Sequence, residues 1–353
     1  MASLRNVTII GAGNGGVTMA ADLTRKGHRI TLYNRSAQPL ELLQAAGRIR
    51  VTGAWQGQVP LPRLTMNLAQ ALDNAEVILV ATVAAAHAEL ATQMAPLMQD
   101  GQAILLAPGY FGSVLFRRAL DQVGRRHVLV GEVTSFPYAC RIIDTGKVVL
   151  KAEKAVLDAA ALPACTTGEW LNVLRDVYPQ LNPARNVLEV ALNNPNPVAH
   201  PVTCLMNAAY FERPSKVQPR VEDWETPRVT RLIEELDLER LRVLLALGLH
   251  GISMDEFMHR SYPHGKRQAE HVGQVAANAY PVPERYVTED VPCGLVLLEA
   301  VAQLAGLEAP VTTATIELAQ MLYARDFRQE GYTLKRLGFG GQTLQQLLDS
   351  LSW

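Results

Sequence analysis

Apolar positions in the first 150 residues come in short, β-branched runs: VTII (7–10), RITLYN (29–34), AEVILVATV (75–83), AILLAP (103–108) and HVLVGEV (127–133). Between them lie stretches of helical spacing such as GVTMAADLTRKG (16–27). Continuous apolar strands alternating with amphipathic helices predict βαβ units around a buried parallel sheet. Another mixed stretch, VVLKAEKAVLDAA (148–160), follows, then a helix expected around Thr167–Val177 and stopped by Pro179. From about Val187 the period becomes helical. RVTRLIEELDLERLRVLLALGL (228–249), CGLVLLEAVAQLAG (293–306) and TTATIELAQMLYA (312–324) carry apolar residues three and four apart with charges between them. The pattern therefore predicts an α/β protein: a parallel-sheet domain over 1–185, then a mostly helical domain over 186–353. Proline-rich segments, NNPNPVAHP (193–201), ERPSKVQPRVEDWETP (212–227) and AYPVPERYVTEDVP (279–292), interrupt the helices and are expected as irregular cleft linings.

The first strand runs directly into Gly11-Ala12-Gly13-Asn14-Gly15-Gly16 and a helix closed by Gly27. This is G-x-G-x-x-G between a strand and a helix, the setting it needs to bind a dinucleotide. The first glycine makes the tight turn, the second lets backbone approach a pyrophosphate, and the third allows close helix–strand packing. The cofactor set is Gly11, Gly13, Asn14, Gly15, Gly16, Asn34, Arg35 and Ser36. The second strand ends Tyr33-Asn34-Arg35-Ser36 with no carboxylate to take a ribose 2′-hydroxyl and repel a 2′-phosphate. Arg35 and Ser36 can instead hold that phosphate, so NADP(H) is favoured over NAD(H).

Composition removes other classes. Thirty-three Lys and Arg against 34 Asp and Glu leave a formal charge of -1, with no electrostatic reason to expect nucleic acid or an anionic membrane as partner. No signal-peptide h-region and no membrane-length apolar run is seen, so a cytoplasmic location is expected. Cys140, Cys165, Cys204 and Cys293 lie far apart without a C-x-x-C pair and read as free thiols. His259, His264 and His271 share no face across Pro263, so a metal is not indicated; His87 is weighed between a structural role and one near the nicotinamide or phosphate. Met206, Tyr210 and Tyr262 are candidate pocket walls, and the long apolar helices are consistent with a homodimer.

Hydride transfer to a carbonyl or imine needs a group that moves a proton and a cation that holds the substrate's acid end. His200, in the proline-bracketed stretch, and Asp290 and Arg285, in Arg285-Tyr286-Val287-Thr288-Glu289-Asp290-Val291, are of those types. Taken singly, His200 reads as structural, Asp290 as a helix cap and Arg285 as a surface cation. Together with GAGNGG, Glu132 and Ser135–Arg141, Asn-Pro-Val-Ala-His-Pro ending at Pro201, and Asp326-Phe327-Arg328 with Glu330-Gly331, the chain resembles the opine dehydrogenase family over nearly its whole length. The resemblance implies a Rossmann-type dinucleotide-binding domain (1–185) followed by an all-helical substrate domain (186–353), and NAD(P)H-dependent reductive condensation of an amino acid with a 2-keto acid to an N-(carboxyalkyl) amino acid, with the reverse oxidation. It implies His200 and Asp290 as the catalytic couple, Arg285 as the grip on the keto-acid carboxylate, and Cys140 near the keto acid. Two alternatives stand beside it: a carbonyl-reducing dehydrogenase of the glycerol-3-phosphate dehydrogenase or ketopantoate reductase type, and a non-catalytic NADP-sensing protein.

Overall fold

The computed structural model describes residues 3–212, 224–263 and 284–352. Twelve strands fall in the first half: β1 (Asn6–Ile10), β2 (Arg29–Tyr33), β3 (Arg48–Gly53), β4 (Gly57–Pro60), β5 (Arg63–Thr65), β6 (Val77–Val80), β7 (Ala103–Leu106), β8 (Leu129–Val133), β9 (Tyr138–Asp144), β10 (Lys147–Glu153), β11 (Leu157–Ala161) and β12 (Leu181–Pro183). The helices that bear on the argument are α1 (Asn14–Arg25), α2 (Ala37–Ala46), α3 (His87–Met94), α4 (Ser113–Gln122), α5 (Thr167–Leu174), α6 (Val187–Leu192), α7 (Asn196–Met206), α8 (Pro227–Ala246), α9 (Met254–Ser261), α10 (Arg285–Thr288), α11 (Val296–Leu304), α12 (Pro310–Tyr323) and α13 (Leu344–Ser352).

Eight strands form the main sheet in the order β12-β11-β8-β7-β6-β1-β2-β5. The apolar runs become its centre because alternate residues bury on both faces. Val7, Ile9, Leu79 and Leu105 belong to one core, and Ile10, Ile78, Val80, Ile104 and Leu106 to the other. Six of the eight strands are parallel, as the alternation predicts, but β11 pairs antiparallel with β8. The short run of alanines that forms β11 reads from sequence like any other apolar strand, so its reversal has no local signal. A second sheet, β4-β3-β10-β9, joins two hairpins through the parallel pair β3 and β10. Cys140 and Arg141 sit in the middle of β9 in that sheet.

Register brings the C-terminal ends of the central strands level: Ile10 is opposite Tyr33 and Val80, Val80 opposite Leu106, and Leu106 opposite Glu132. The loops after β1, β2, β6, β7 and β8 therefore open on one edge, where ligands of such sheets bind. Among the described residues beyond β12 the elements are helical. Their apolar faces continue into the first half: Ala84, Tyr110, Phe111 and Val114 share a core with Leu188, Val243, Leu297, Val301 and Leu347. The helical half is thus packed onto the ligand edge of the sheet. No helix among the described residues is long and apolar enough to cross a membrane.

Candidate active site

The glycine loop has the geometry the motif demands. Gly11 has φ +109, and a Cβ there would lie 2.8 Å from the Ala81 carbonyl; at Gly16 it would lie 1.7 Å from the Gly11 oxygen. A Cβ at Gly15 would meet the Phe136 ring at 2.5 Å, whereas at Gly13 it would meet nothing within 4 Å, so space is open above the second glycine. Gly13 caps α1 without a side-chain hydrogen bond, leaving the helix N-terminus to an external acceptor. Beside Gly11, the buried Thr82 hydroxyl has no partner. Open backbone, free N–H groups and an orphaned hydroxyl fit a dinucleotide pyrophosphate. Asn14 has a structural task as well: its Oδ1 accepts from Ile142 N–H at 2.8 Å and its carbonyl lies 3.6 Å from Cys140 Sγ, tying α1 to β9.

At the end of β2, Asn34 Oδ1 accepts from Ala12 N–H at 3.0 Å, and its amide donates to the Ser36 carbonyl and hydroxyl. Asn34 therefore joins the glycine loop to the turn that starts α2. Arg35 is 77% exposed in its side chain, with Glu89 at 3.7 Å, a solvated pair of little strength.

On the other side of the edge, His200 Nδ1 lies 2.9 Å from Asp290 Oδ2. The carboxylate accepts, so Nδ1 carries the proton and Nε2 is left for exchange. Asp290 is fully buried while the His200 side chain keeps 24% exposure, so the ring is partly open to solvent with one edge on a sequestered charge. Both residues sit in more regular backbone than their prolines suggest. His200 is inside α7, because Pro197 occupies the first turn where no N–H is needed, and Pro201 interrupts only the second turn. Asp290 precedes a π-turn over Val291–Leu295. Gly294 of that turn faces Pro197, and a Cβ there would stand 2.2 Å from the ring. That close approach brings Asp290 to His200. The Asp290 side chain makes no cap hydrogen bond, so the capping role is not what it does here.

The second Asp290 oxygen, Oδ1, accepts a short hydrogen bond from the Tyr110 hydroxyl. Tyr110 comes from the loop after β7, in the dinucleotide half. Burial, reinforced by the Asp290 charge, holds its phenol protonated well above the usual tyrosine range. Tyr110 and its neighbour Phe111 are both left-handed, at φ 52 and 68, conformations that cost on the order of 1–3 kcal/mol each for non-glycine residues. Glu132, buried on β8, offsets this by accepting from Phe111 and Ser113 N–H at 2.8 and 3.0 Å. Burial pushes its carboxyl up to about 7. Sequence reasoning missed Tyr110. Nothing in Ala107–Gly112 as a string marks a left-handed tyrosine aimed 180 residues downstream.

Arg285 Nη1 donates to Glu289 at 3.1 Å, and the guanidinium lies 5.4 Å over the Tyr286 ring. Tyr286 stacks on His200 at 3.7 Å between centroids, with 6° between planes. Tyr286 was legible only as part of a motif, yet it joins the cation to the imidazole in one stack. Glu289 also accepts from Ala84 N–H at 2.8 Å, and Tyr332 donates to the Ala84 carbonyl at 2.7 Å, so the helical half grips the loop after β6. Cys140 lies close enough to Arg285, Lys154 and Arg141 for their charges to act on its thiol, although burial dominates and raises its pKa.

Several weaker candidates resolve differently. His87 opens α3, fully buried edge-on to Phe116 at 6.1 Å, with neither ring nitrogen partnered and its pKa pulled down to about 3 by burial. It is a packed neutral ring, and the nicotinamide-facing expectation is corrected. Asn196 Nδ2 reaches the Tyr110 oxygen at 3.5 Å. Met206 and Tyr210 are exposed beyond the body of α7, while Tyr262 lies under Lys154 Nζ at 5.4 Å. His259 is on the exposed face of α9; His264 and His271 lie outside the described residues.

Comparison with known proteins agrees with this division. Residues 183–323 match the family model described as NAD/NADP octopine/nopaline dehydrogenase, alpha-helical domain, and residues 7–155 match ketopantoate reductase PanE/ApbA. An opine dehydrogenase of Arthrobacter sp. (strain 1C) is 35% identical over 97% of this chain and 98% of its own. Among solved structures, octopine dehydrogenase in complex with NADH and agmatine superimposes with TM-score 0.76 at 22% identity, covering 98% of both chains. Yersinopine dehydrogenase with NADP+ bound gives TM-score 0.69 at 19% identity, over 100% of this chain and 99% of that one. The two structural likenesses establish the fold, and the full-length identity to the Arthrobacter enzyme establishes more: the chain belongs to the opine dehydrogenase family of NAD(P)-dependent oxidoreductases.

Proposed function

We propose that this enzyme joins the amine of an amino acid to a 2-keto acid and reduces the resulting imine, giving an N-(carboxyalkyl) amino acid, and that it oxidises such products in reverse. Residues 1–185 carry the dinucleotide and 186–353 the substrates, which meet at the edge where His200 lies. The observation that carries this reading is the His200–Asp290 couple at 2.9 Å, brought from the helical half against the loop after β7.

Arg285 has one nitrogen held by Glu289, and its remaining N–H groups grip the keto-acid carboxylate. That grip fixes the carbonyl carbon for attack by the free amine. Addition gives a carbinolamine, and His200 Nε2, protonated, delivers its proton to the departing hydroxyl so that water leaves and the protonated imine forms. The neutral ring then recovers a proton from the incoming ammonium of the next substrate. Asp290 steadies the imidazolium between these events. Bound at the glycine loop, the dihydronicotinamide supplies the hydride that reduces the imine carbon.

NADP(H) is the favoured form. The support is the absence of a carboxylate at Asn34 and the exposed Arg35 beside Ser36, held only by a solvated pair with Glu89. Asn34→Asp keeps the acceptor for Ala12 N–H and adds the missing charge, so the ratio of kcat/KM for NADH over NADPH should rise by about tenfold or more. An unchanged ratio would overturn the preference.

The functional test is reduced-dinucleotide consumption with a panel of amino acids against pyruvate and 2-oxoglutarate, with product mass measured. A secondary amine formed only when both substrates are present supports the proposal. Consumption with keto acid alone, yielding the hydroxy acid, would instead support carbonyl reduction of the ketopantoate reductase type, a likeness that here spans residues 7–155.

A further inference from the structure

We infer that Tyr110 is a positioning residue for the acid–base step: through its hydrogen bond to Asp290 it orients the carboxylate toward His200 and sets how strongly His200 holds its proton. The inference rests on the reading of His200 as the group that moves the proton. Three observations support it. The two oxygens of Asp290 are divided between His200 Nδ1 and the Tyr110 hydroxyl, so rotation of the carboxylate away from one bond breaks the other. Tyr110 is held in a left-handed backbone that Glu132 fixes by binding the N–H groups of Phe111 and Ser113, so the hydroxyl is aimed by a braced loop and not by chance of rotamer. Finally, the loop belongs to the dinucleotide half and Asp290 to the helical half. The imidazole therefore has its oriented partner only when the halves are packed together.

Among the described residues the titratable and charged groups facing Asp290 besides His200 are Glu289, Arg285, Cys204, Cys293, Tyr286 and Tyr110. Glu289 is occupied by Ala84 N–H and Arg285. Burial keeps the Cys204 thiol protonated, pushed up to about 12, and raises the Cys293 thiol as well. Tyr286 is likewise raised by burial and stacks on the imidazole without bonding the carboxylate. Tyr110, its phenol held protonated by burial and by the Asp290 charge, is the group that donates to Asp290 besides His200 among the described residues.

The sign of the effect follows. An O–H donor disperses the charge on Asp290, which weakens its hold on the imidazolium. Without that donor the imidazolium is favoured and His200 titrates at higher pH. In the oxidative direction, where His200 must be neutral, Tyr110→Phe should move the acid limb of kcat/KM up by about half a unit or more, and lower kcat by about tenfold as the carboxylate loses its second anchor. Dinucleotide affinity, read by fluorescence, should stay within about twofold. In an Asp290→Asn background the same change should cost less than about threefold further, because there is no carboxylate left to act through. Replacing Tyr110 with 3,5-difluorotyrosine, a stronger donor of nearly the same size, should move the limb the other way; this arm holds even if Tyr110→Phe does not fold. Limbs that stay in place in both variants, or a Tyr110→Phe loss that is undiminished beside Asp290→Asn, would overturn the inference. Retained turnover in His200→Ala would instead remove the acid–base reading on which it rests.

Discussion

Arg285 shows how much a single side chain depends on its neighbours. Its charge is held over Tyr286 and tied by one nitrogen to Glu289, which leaves the rest of a planar fork to meet a carboxylate. Arg285→Lys keeps a positive charge but replaces the fork with a point donor. The KM for the keto acid should rise by about tenfold or more, the loss of one charge-assisted hydrogen bond, with kcat changed far less. Steady-state kinetics with the keto acid varied against saturating amino acid and dinucleotide checks this; an unchanged KM would remove Arg285 from the site. His200, Asp290 and Arg285 were each legible as residue types in a motif. Tyr110 was not, and Tyr286 stood in the motif without its role, because the property that matters is where a ring points after the chain has closed over many residues.

Among elements, the turn from β1 into α1 was the most readable, since its sequence requirements are steric and local. The two outer glycines and the middle one do different work, and substitution separates them. Gly16→Ala drives a Cβ to 1.7 Å from the Gly11 carbonyl oxygen, so helix and strand must separate; a loss of about 2 kcal/mol or more of stability is expected. Gly13→Ala meets nothing within 4 Å, so stability should change by no more than about 1 kcal/mol while dinucleotide affinity falls sharply, because the space filled is that of the pyrophosphate. Urea unfolding and fluorescence titration of the two variants give the comparison. Equal stability losses, or intact binding in Gly13→Ala, would contradict the assignment. The segment around His200 was harder to read. Two prolines argue against helix, yet Pro197 falls in the first turn of α7 and the flanking apolar residues Val198 and Val202 bury. Tertiary packing against Gly294 and the π-turn overrides the local signal. Likewise, the second sheet could not be foreseen, because β3 and β10 are neighbours separated by about a hundred residues.

At the scale of the whole molecule, the pattern gave the two-part plan, since strand runs alternating with helices give way near β12 to helical spacing alone among the described residues. It did not give how firmly the parts are joined. The shared apolar core from Ala84 and Tyr110 to Leu188 and Leu297, with Glu289 and Tyr332 on Ala84 and Asp290 on Tyr110, makes the proposed catalytic couple a product of the junction itself. The account's central claim is that His200 moves the protons of condensation while the other half holds the dinucleotide. Paired measurement of turnover and dinucleotide affinity in His200→Ala tests it most directly. The account predicts a fall in kcat of about a hundredfold or more with the dissociation constant for NADPH nearly unchanged; turnover close to the parent enzyme's would contradict it.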